Sequence, residues 1–344
     1  MSMRDIKELA LEELGPILKE WGFPAFHARQ IFAWIYKKGA VDFNQMSDLS
    51  RDLRECLKSN FYLFGFTTVS TLRSYDGTTK FLFKLKDASL VEAVTIPEES
   101  RVTACLSSQV GCKFACKFCA SALAGFKRNL TCGEIIEQLC HLKNNSPDKR
   151  ITHVVFMGTG EPLDNYDNVL KAIRIINSED GFQIGARRIT ISTSGIPPAI
   201  ERLSGEDLQI ELSVSLHAAG DETRTRLMPV NKKYPLQALL KACRAYIRKT
   251  NRQITFEYIL IKGINSDLPT ARKLSTILRG LNSKVNLIVC NPVKELGVLP
   301  PNKPDVLLFK NQLIKSGVHV TLRRSRGEDI EAACGQLRLR YAKE

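Results

Sequence analysis

The first sixty residues carry apolar side chains at helical spacing. Three segments show the pattern: Ile6–Lys19, His27–Lys38 and Leu49–Leu57. The sequence Trp21-Gly-Phe-Pro interrupts it after the first segment, because glycine and proline end helices. We therefore predict a small helical accessory domain over residues 1–62.

An alternation of apolar and polar residues follows. Thr67–Arg73 and Thr79–Lys84 both alternate, and the Asp76-Gly77 pair between them is typical of a hairpin turn. Leu90–Ile96 predicts a third strand. We expect these strands to form a β extension over residues 63–99.

From about residue 100 the pattern becomes strand, loop and helix in repeated order. Predicted strands cover Val102–Ser107, Thr152–Met157, Arg188–Ser192, Gln209–Leu216, Ile254–Ile261 and Val285–Cys290. Predicted helices lie at 131–144, 166–177, 197–204, 235–249, 268–280 and 304–316. Such alternation implies a parallel sheet with right-handed crossovers. Six units are too few to close an eight-unit barrel, so we predict an α/β fold, an open partial (β/α)6 barrel, over residues 100–344.

Polar and glycine-rich residues follow the ends of these strands. The strand-end sequences are Cys112–Cys119, Met157–Pro162, Ser192–Gly195, Ser215–His217 and Asn291-Pro292. In parallel barrels the working residues lie at the carboxyl ends of the strands. We therefore expect the active site at this face of the sheet.

The net charge of +14 is unevenly distributed. Residues 1–60 are neutral, whereas residues 221–252 hold nine basic side chains against Asp221 and Glu222. A second basic group flanks the cysteine-rich segment: Lys113, Lys117, Lys127 and Arg128. Positive charge beside the expected active site favours a polyanionic substrate, RNA or DNA.

The sequence favours a cytoplasmic protein without a membrane partner. Its apolar stretches are of strand length, and its N-terminus lacks the apolar core of a signal peptide. In that reducing compartment the ten cysteines are not expected to form structural disulfides. Five of them are predicted to be small buried apolar residues: Cys56, Cys132, Cys140, Cys243 and Cys290.

Three further cysteines, Cys112, Cys116 and Cys119, fall within eight residues. Three thiolates on one loop can hold three irons of a 4Fe–4S cluster and leave the fourth iron open for an exogenous ligand. A structural zinc site would need four protein ligands, and the sequence has no second Cys-x-x-Cys or Cys/His pair to complete one. The C-x3-C-x2-C spacing resembles that of radical S-adenosylmethionine (SAM) enzymes, in which the amine and carboxylate of SAM bind the open iron.

The turn Gly158-Thr-Gly-Glu-Pro162 resembles the GEP-type motif of the same superfamily. This resemblance implies that the turn's main chain at Gly160 and the side chain of Glu161 contact the methionine amine. Further candidate contacts to SAM are Ser192, Ser215, Leu216, His217 and Asn291.

The chain as a whole resembles the RlmN family of radical SAM adenine-C2 methyltransferases, which act on 23S rRNA and tRNA. The matching stretches are Ser107–Cys112, Cys116–Cys119, Gly125–Leu130, Met157–Pro162, Leu216–Ala218, Leu227–Asn231 and Ala333–Gln336. The neutral helical N-terminus resembles the family's accessory domain. Pro162 favours this branch over the C8-methylating Cfr branch, which typically has alanine at that position.

The resemblance implies a mechanism that uses two more cysteines. Cys334 takes a methyl group from one SAM as an ordinary nucleophile. A second SAM is cleaved to a radical that removes hydrogen from this methyl group, and the methylene radical adds to adenine C2. Glu92 then accepts the C2 proton, and Cys105 attacks the Cys334 sulfur, which releases the product and leaves a disulfide.

The resemblance also implies the partners. We expect RNA rather than DNA, a low-potential electron donor such as flavodoxin, and a monomeric protein. Two other classes stay open: another radical SAM enzyme, and a non-enzymatic, metal-stabilised RNA-binding protein. Within the first class, a methylthiotransferase would normally have a second cysteine trio, and a glycyl-radical activase would have no need of Cys334.

Overall fold

The computed structural model describes residues 3–123, 125–146, 150–292, 296–332 and 336. The strands are β1 (Arg4–Asp5), β2 (Phe61–Tyr62), β3 (Thr67–Arg73), β4 (Thr79–Lys84), β5 (Leu90–Pro97), β6 (Val102–Cys105), β7 (Gln109–Gly111), β8 (Phe126–Asn129), β9 (His153–Phe156), β10 (Ile189–Thr193), β11 (Glu211–Ser215), β12 (Ile254–Leu260), β13 (Ser283–Val289) and β14 (His319–Arg323). The α-helices are α1 (Leu11–Glu20), α2 (His27–Phe32), α3 (Arg51–Asn60), α4 (Cys132–Asn144), α5 (Tyr166–Asn177), α6 (Pro197–Leu203), α7 (Asp221–Leu227), α8 (Leu236–Thr250), α9 (Leu268–Leu278) and α10 (Lys303–Lys315).

Ten strands form one sheet in the order β14-β13-β12-β11-β10-β9-β6-β5-β4-β3. Strand β6 and strands β9 to β14 run parallel, each paired with its neighbour in that order. Helices alternate with these strands along the chain, as right-handed crossovers require. The predicted open α/β barrel is confirmed.

The structure adds a seventh parallel strand, β14, which the sequence pattern does not predict. Its five residues are all partly or fully exposed, because among the described strands β14 pairs only with β13, at the edge of the barrel. The strand is short and contains His319 and Arg323, so it lacks the apolar run that marks a buried parallel strand. Its absence from the prediction therefore has a physical cause.

The hairpin strands extend the same sheet. Strands β3, β4 and β5 pair antiparallel, and β5 pairs antiparallel with β6, the first strand of the barrel. The hairpin predicted around Asp76-Gly77 forms with β3 and β4 over the expected residues. The β extension and the barrel therefore share one hydrogen-bonded sheet.

Alternation along the parallel strands separates two sets of side chains. Apolar residues such as Ile191, Val214 and Phe256 are buried against the helices. The opposite set faces the barrel interior and is largely polar: Ser192, Ser213, Ser215, Thr255, Glu257 and Asn286. A polar interior at strand ends is typical of a binding site rather than of a packed core.

The N-terminal segment joins the barrel through a buried lysine. Asp5 caps a 3-10 turn over Ile6–Glu8, so the predicted helix starts at Leu11 rather than at Ile6. The Lys7 ammonium is fully buried, 2.7 Å from Asp5 Oδ1 and 3.1 Å from Glu137 Oε2 of α4. This ion pair ties the start of the chain to the first helix of the barrel.

No helix in the described ranges is both long enough and apolar enough to cross a bilayer. Four of the five cysteines predicted to be buried are so: Cys132, Cys140, Cys243 and Cys290. Cys56 is half-buried instead.

Candidate active site

A cavity of about 160 Å³ lies at the carboxyl ends of the parallel strands. The predicted site residues on its wall are Cys112, Cys116, Cys119, Gly160, Glu161, Ser192, Ser215 and His217. Apolar side chains of Phe114, Phe118, Met228 and Ile259 lie beside them. The fold thus brings the cysteine loop, the glycine-rich turn and the strand-end hydroxyls to one place.

Main-chain hydrogen bonds hold the loop that carries the three cysteines. The N–H of Cys112 donates to Gly125 O, and the N–H of Lys117 donates to Leu227 O, both at 2.9 Å. Gly111 has a φ of +74°, and a Cβ there would lie 1.7 Å from Gly125 O. Only glycine can therefore occupy the position before the first cysteine.

The three thiols fit the ligand set of an iron–sulfur cluster. Burial raises the pKa of Cys112 to about 12 and holds the pKa of Cys116 well above its usual range, and Cys119 adds to both effects. Such thiols ionise when a metal cation replaces the proton. Within the described ranges, no three His, Cys, Asp or Glu side chains converge on a single metal ion. A cluster imposes no such convergence, because each thiolate binds a different iron.

The turn after β9 packs too closely for side chains. A Cβ at Gly158 would lie 2.6 Å from Ser107 Oγ. Gly160 has a φ of +109°, and a Cβ there would lie 2.6 Å from Gln109 Cβ. Both glycines line the cavity, so their bare main chain is available to a ligand.

Glu161 is buried beside this turn with its carboxylate held by main-chain donors. Its Oε1 accepts from the N–H of Leu163 at 3.0 Å, and its Oε2 accepts from the N–H of Ser194 at 2.6 Å. Burial raises the pKa of its carboxyl despite these hydrogen bonds. Glu161 therefore joins the β9 turn to the end of β10.

His217 has a φ of +56° and is almost fully buried. Its Nδ1 accepts a hydrogen bond from the N–H of Ile259 at 3.0 Å, and the Phe118 ring packs edge-on at 4.6 Å between centroids. Burial, with a smaller contribution from the charge of Arg224, lowers the pKa of His217 to about 3. The imidazole is therefore neutral, and its hydrogen lies on Nε2 as a donor.

Two predicted SAM contacts, Leu216 and Asn291, are not among the described residues that line the 160 Å³ cavity. Leu216 is buried, and its N–H donates to Glu257 O at 3.0 Å. Asn291 Oδ1 accepts from Ser325 Oγ at 3.0 Å, which links β13 to the segment after β14.

Cys105 lies in β6 opposite Val94 of β5. Both side chains pack with Ala332 in a small apolar cluster, against which Met157 also packs. Ala332 precedes Cys334 by two residues, and Cys334 itself lies outside the described residues. The structure thus brings Cys105 together with the segment that leads to Cys334.

Glu92 lies on β5, two residues before Val94, so its side chain shares a face with Val94 and Cys105. It is 3% exposed, and its Oε1 lies 3.2 Å from the Lys80 ammonium. The Lys80 ammonium thus supplies the opposite charge that a buried carboxylate such as that of Glu92 needs.

Two charged residues that the sequence analysis did not select also line the cavity, Glu257 and Arg323. Glu257 is buried, its Oε2 accepts from Asn286 Nδ2 at 2.8 Å, and burial raises the pKa of its carboxyl while Arg323 opposes that shift. An acid within the apolar strand Ile254–Leu260 is a signal that could have identified Glu257. Arg323 had no such signal, because β14 was not predicted.

A larger cavity of about 630 Å³ adjoins the first one inside the barrel. Met157, Glu257 and Arg323 line both. The basic residues on the larger wall are Arg101, Lys284, Arg323, Arg324 and Arg326. The acids Glu98, Glu211 and Glu257 lie on the same wall, so basic side chains outnumber acidic ones there and this side favours an anionic ligand.

The basic segment 221–252 is only partly a surface. Arg224 is fully buried, and its guanidinium donates to the main-chain oxygens of Ser194 and Ser215 at 2.7 and 3.1 Å. Arg224 therefore adds nothing to an exposed basic face, because this side chain ties two strand ends together. Arg252 is bound to Glu211, while the other seven basic residues are exposed.

Comparisons with known proteins agree with this architecture. Residues 106–273 match the model of the radical SAM superfamily, and residues 4–63 match that of the ribosomal RNA large subunit methyltransferase N-terminal domain. A relative from Caldanaerobacter subterraneus subsp. tengcongensis, described as a probable dual-specificity RNA methyltransferase RlmN, is 46% identical over 99% of this chain and 100% of its own length. One from Staphylococcus carnosus with the same description is 45% identical over 97% of this chain and 93% of its own.

A solved structure shows the same fold throughout. The crystal structure of a radical SAM methyltransferase from Sphaerobacter thermophilus superposes with a TM-score of 0.95 at 42% identity, over 97% of this chain and 99% of that one. Identity at this level over nearly the whole of both chains exceeds what a shared fold alone would produce. The chain therefore belongs to the RlmN family of the radical SAM superfamily.

Proposed function

We propose that this protein methylates C2 of an adenine in RNA: the peptidyl-transferase-centre adenine of 23S rRNA and the anticodon-adjacent adenine of tRNA. The descriptions of its relatives as dual-specificity RNA methyltransferases support an RNA substrate. The reaction consumes two SAM per turnover and passes through a methylated cysteine. We propose RNA as the substrate, and neither DNA nor a membrane as a partner.

The observation that carries this proposal is the apolar cluster of Val94, Cys105 and Ala332. A resolving thiol must reach the sulfur of the methyl carrier. Ala332, which packs against Cys105, lies two residues before Cys334 in the sequence. Glu92, the proposed acceptor of the C2 proton, lies on the same face of the sheet. These contacts support the roles of Cys334 as carrier, Cys105 as resolving thiol and Glu92 as base.

The cofactor assignment follows from the donor set. Cys112, Cys116 and Cys119 would hold a 4Fe–4S cluster, which with SAM bound supplies a carbon radical able to activate a methyl group. Around that position, Gly160 and Glu161 are proposed to bind the methionine portion. The proposed contacts to the rest of SAM are Ser192, Ser215, the main chain of Leu216, His217 and Asn291.

Adenine C2 explains why the protein would need such chemistry. This carbon lies between two ring nitrogens and is neither acidic nor nucleophilic, so it cannot attack a sulfonium methyl group. A base delivered from a single strand or an extruded position can enter a cavity, and the 630 Å³ space beside Met157 offers room for it. The arginines on its wall suit the flanking phosphates.

The C8-methylating reaction is the alternative within this chemistry. Pro162 supports C2, since it is the residue at which the family resemblance separates the two branches. It begins a 3-10 turn over Pro162–Asn165, where its missing N–H costs no hydrogen bond. We further propose a monomer that receives electrons from a low-potential donor such as flavodoxin.

Nucleoside mass spectrometry tests the proposal directly. 23S rRNA and tRNA from cells with the gene, without it, and with a Cys112→Ala copy should be compared. We expect 2-methyladenosine in both RNAs only with the intact gene. Appearance of 8-methyladenosine instead, or 2-methyladenosine that persists without the gene, would show that the assignment is wrong.

A further inference from the structure

The β3–β4 hairpin touches the segment that leads to Cys334 at several points. Ser74 Oγ donates to Asp329 Oδ1 at 2.6 Å, and the N–H of Gly327 donates to Asp76 Oδ2 at 3.0 Å. Burial alone would raise the pKa of Asp76, but hydrogen bonds from Thr78 and Gly327 lower it to about 2. The hairpin turn, with the ionised Asp76, therefore holds residues 327–332 through hydrogen bonds.

Lys80 makes the innermost of these contacts. It is 7% exposed, and its ammonium donates to Glu331 O at 3.1 Å while lying 3.2 Å from Glu92 Oε1. One buried cation thus contacts both the side chain of Glu92 and the main chain three residues before Cys334. An ammonium has three donors, so it can serve both partners at once.

The backbone of the segment is bent to make this contact. Glu331 has a φ of +51°, which is uncommon outside glycine, and its carbonyl is the one that Lys80 binds. Gly327 has a φ of +65°, and a Cβ there would lie 2.8 Å from both Thr78 Cγ2 and Ala332 Cβ. Strained backbone persists only where the surroundings hold it, and here the hairpin does so.

We propose that Lys80 is a positioning residue for the methyl transfer: its ammonium joins the base Glu92 to the segment that carries Cys334. This inference rests on the proposed function, in which both groups act on one adenine carbon. The sulfur-bound methylene must reach C2 on one side, and the carboxylate must reach the C2 hydrogen. A displacement of about 1 Å between such groups lowers a rate by about 100-fold. A single cation bound to Glu92 and to Glu331 O fixes the distance between the carboxylate and the segment that leads to Cys334.

This arrangement separates two steps that a general structural role would not. Methylation of Cys334 by SAM needs neither Glu92 nor a fixed distance to it. Removal of the C2 proton and release of the adduct need both. Loss of Lys80 should therefore leave the first step intact and slow the later ones.

The test compares Lys80→Met with Lys84→Met, an exposed lysine on the same strand, and with Lys80→Arg, which keeps the charge. In the reconstituted holoenzyme, intact mass should show Cys334 methylated to the same extent in all variants. Product formation should fall by about 100-fold in Lys80→Met. It should recover to within about tenfold of the unmodified protein in Lys80→Arg, because the planar guanidinium keeps the charge but differs in shape from an ammonium. Lys84→Met should act like the unmodified protein.

Limited proteolysis supplies a reading that needs no turnover. Lys80→Met removes the donor to Glu331 O, and Glu92→Gln removes the carboxylate that holds that donor in place. The segment should therefore open more often in both variants and be cut faster within residues 324–332. Equal turnover in Lys80→Met and Lys84→Met, or no change in cleavage in either variant, would overturn the inference. If Lys80→Met does not fold, Glu92→Gln still decides it by cleavage rate. An unmodified protein that never methylates Cys334 would instead overturn the proposed function.

Discussion

The main-chain N–H of Ile259 donates a hydrogen bond to Nδ1 of His217 at 3.0 Å, across the ends of β12 and β11. Burial, with a smaller contribution from the charge of Arg224, lowers the pKa of His217 from an ordinary 6.5 to about 3, and the neutral imidazole leaves Nδ1 free to accept this bond. The unfolded chain therefore binds a proton below pH 6.5 that the native protein does not bind. Stability should be lost as the pH falls from about 6.5 towards 3.

Part of the pH dependence of the unfolding free energy can be assigned to His217. His217 should contribute up to about 1.4 kcal/mol per pH unit to the fall in the free energy of unfolding. His217→Asn keeps a side chain that tolerates positive φ and should remove this part of the slope. His319→Asn, at an exposed position, is the control. Urea unfolding between pH 4 and 7 gives the free energy of unfolding of the unmodified protein and both variants. The same change of this free energy with pH in all three would refute the assignment.

The ion pair between Lys7 and Glu137 joins the N-terminal segment to the barrel, 3.1 Å apart and buried. Replacing Lys7 with Met leaves Asp5 and Glu137 as buried carboxylates without their cation. The cost should be about 3–5 kcal/mol of unfolding free energy, as for other broken buried pairs. Lys19→Met, on the exposed face of α1, should change it by less than about 0.5 kcal/mol. Chemical denaturation of both variants gives the comparison, and similar midpoints would contradict it.

Gly160→Ala should weaken SAM binding. The substitution places a Cβ 2.6 Å from Gln109 Cβ at a φ of +109° and moves the turn that lines the cavity. Strain of about 1–3 kcal/mol is expected there, which corresponds to a loss of affinity of about tenfold or more if the turn shifts. Gly185→Ala has open space around it and serves as the matched control. Equilibrium dialysis with labelled SAM measures both, and equal affinities would exclude the turn as a ligand contact.

The cluster assignment predicts which cysteines hold iron. Cys112→Ala, Cys116→Ala and Cys119→Ala should each lower iron and sulfide content and the broad visible absorption of anaerobically reconstituted protein. Cys243→Ala removes a buried thiol elsewhere in the fold and should keep the full content. Stoichiometric zinc without iron in the anaerobically prepared protein would contradict the assignment.

Local pattern predicted the fold well where each strand is buried or each turn has special residues. The hairpin around Asp76-Gly77 and the helix that begins after Thr131 follow from turn chemistry and from a capping box with Glu134. Strand β14 escaped prediction because an edge strand does not need an apolar run. The Lys7–Glu137 pair joins residues far apart in sequence, and no local pattern shows such a contact.

The candidate site was predictable to the extent that strand ends converge. Glu161 and His217 come after β9 and β11, Ser192 lies near the end of β10, and parallel strands place their carboxyl ends together. Burial was not predictable: Arg224 looked like one more surface cation, yet it is the clamp between Ser194 and Ser215. The division of roles between Cys105 and Cys334 depends on the resemblance to the family and stays a prediction.

The central claim is that Cys334 carries the methyl group and Cys105 releases the product. Replacing either cysteine with alanine removes a small side chain, so folding should be little affected. Cys334→Ala should leave the cluster intact but form neither product nor adduct. Unmodified protein should form product without accumulating adduct.

A denaturing gel of the Cys105→Ala protein after reaction with RNA, run with and without nuclease, tests this claim most directly. Without a resolving thiol, the methylene bridge between Cys334 and adenine should persist. The account predicts a shifted band that nuclease removes and that is absent from Cys334→Ala and from the Cys105→Ala, Cys334→Ala double variant. A Cys105→Ala protein that forms product at the unmodified rate, with no nuclease-sensitive band, would contradict it.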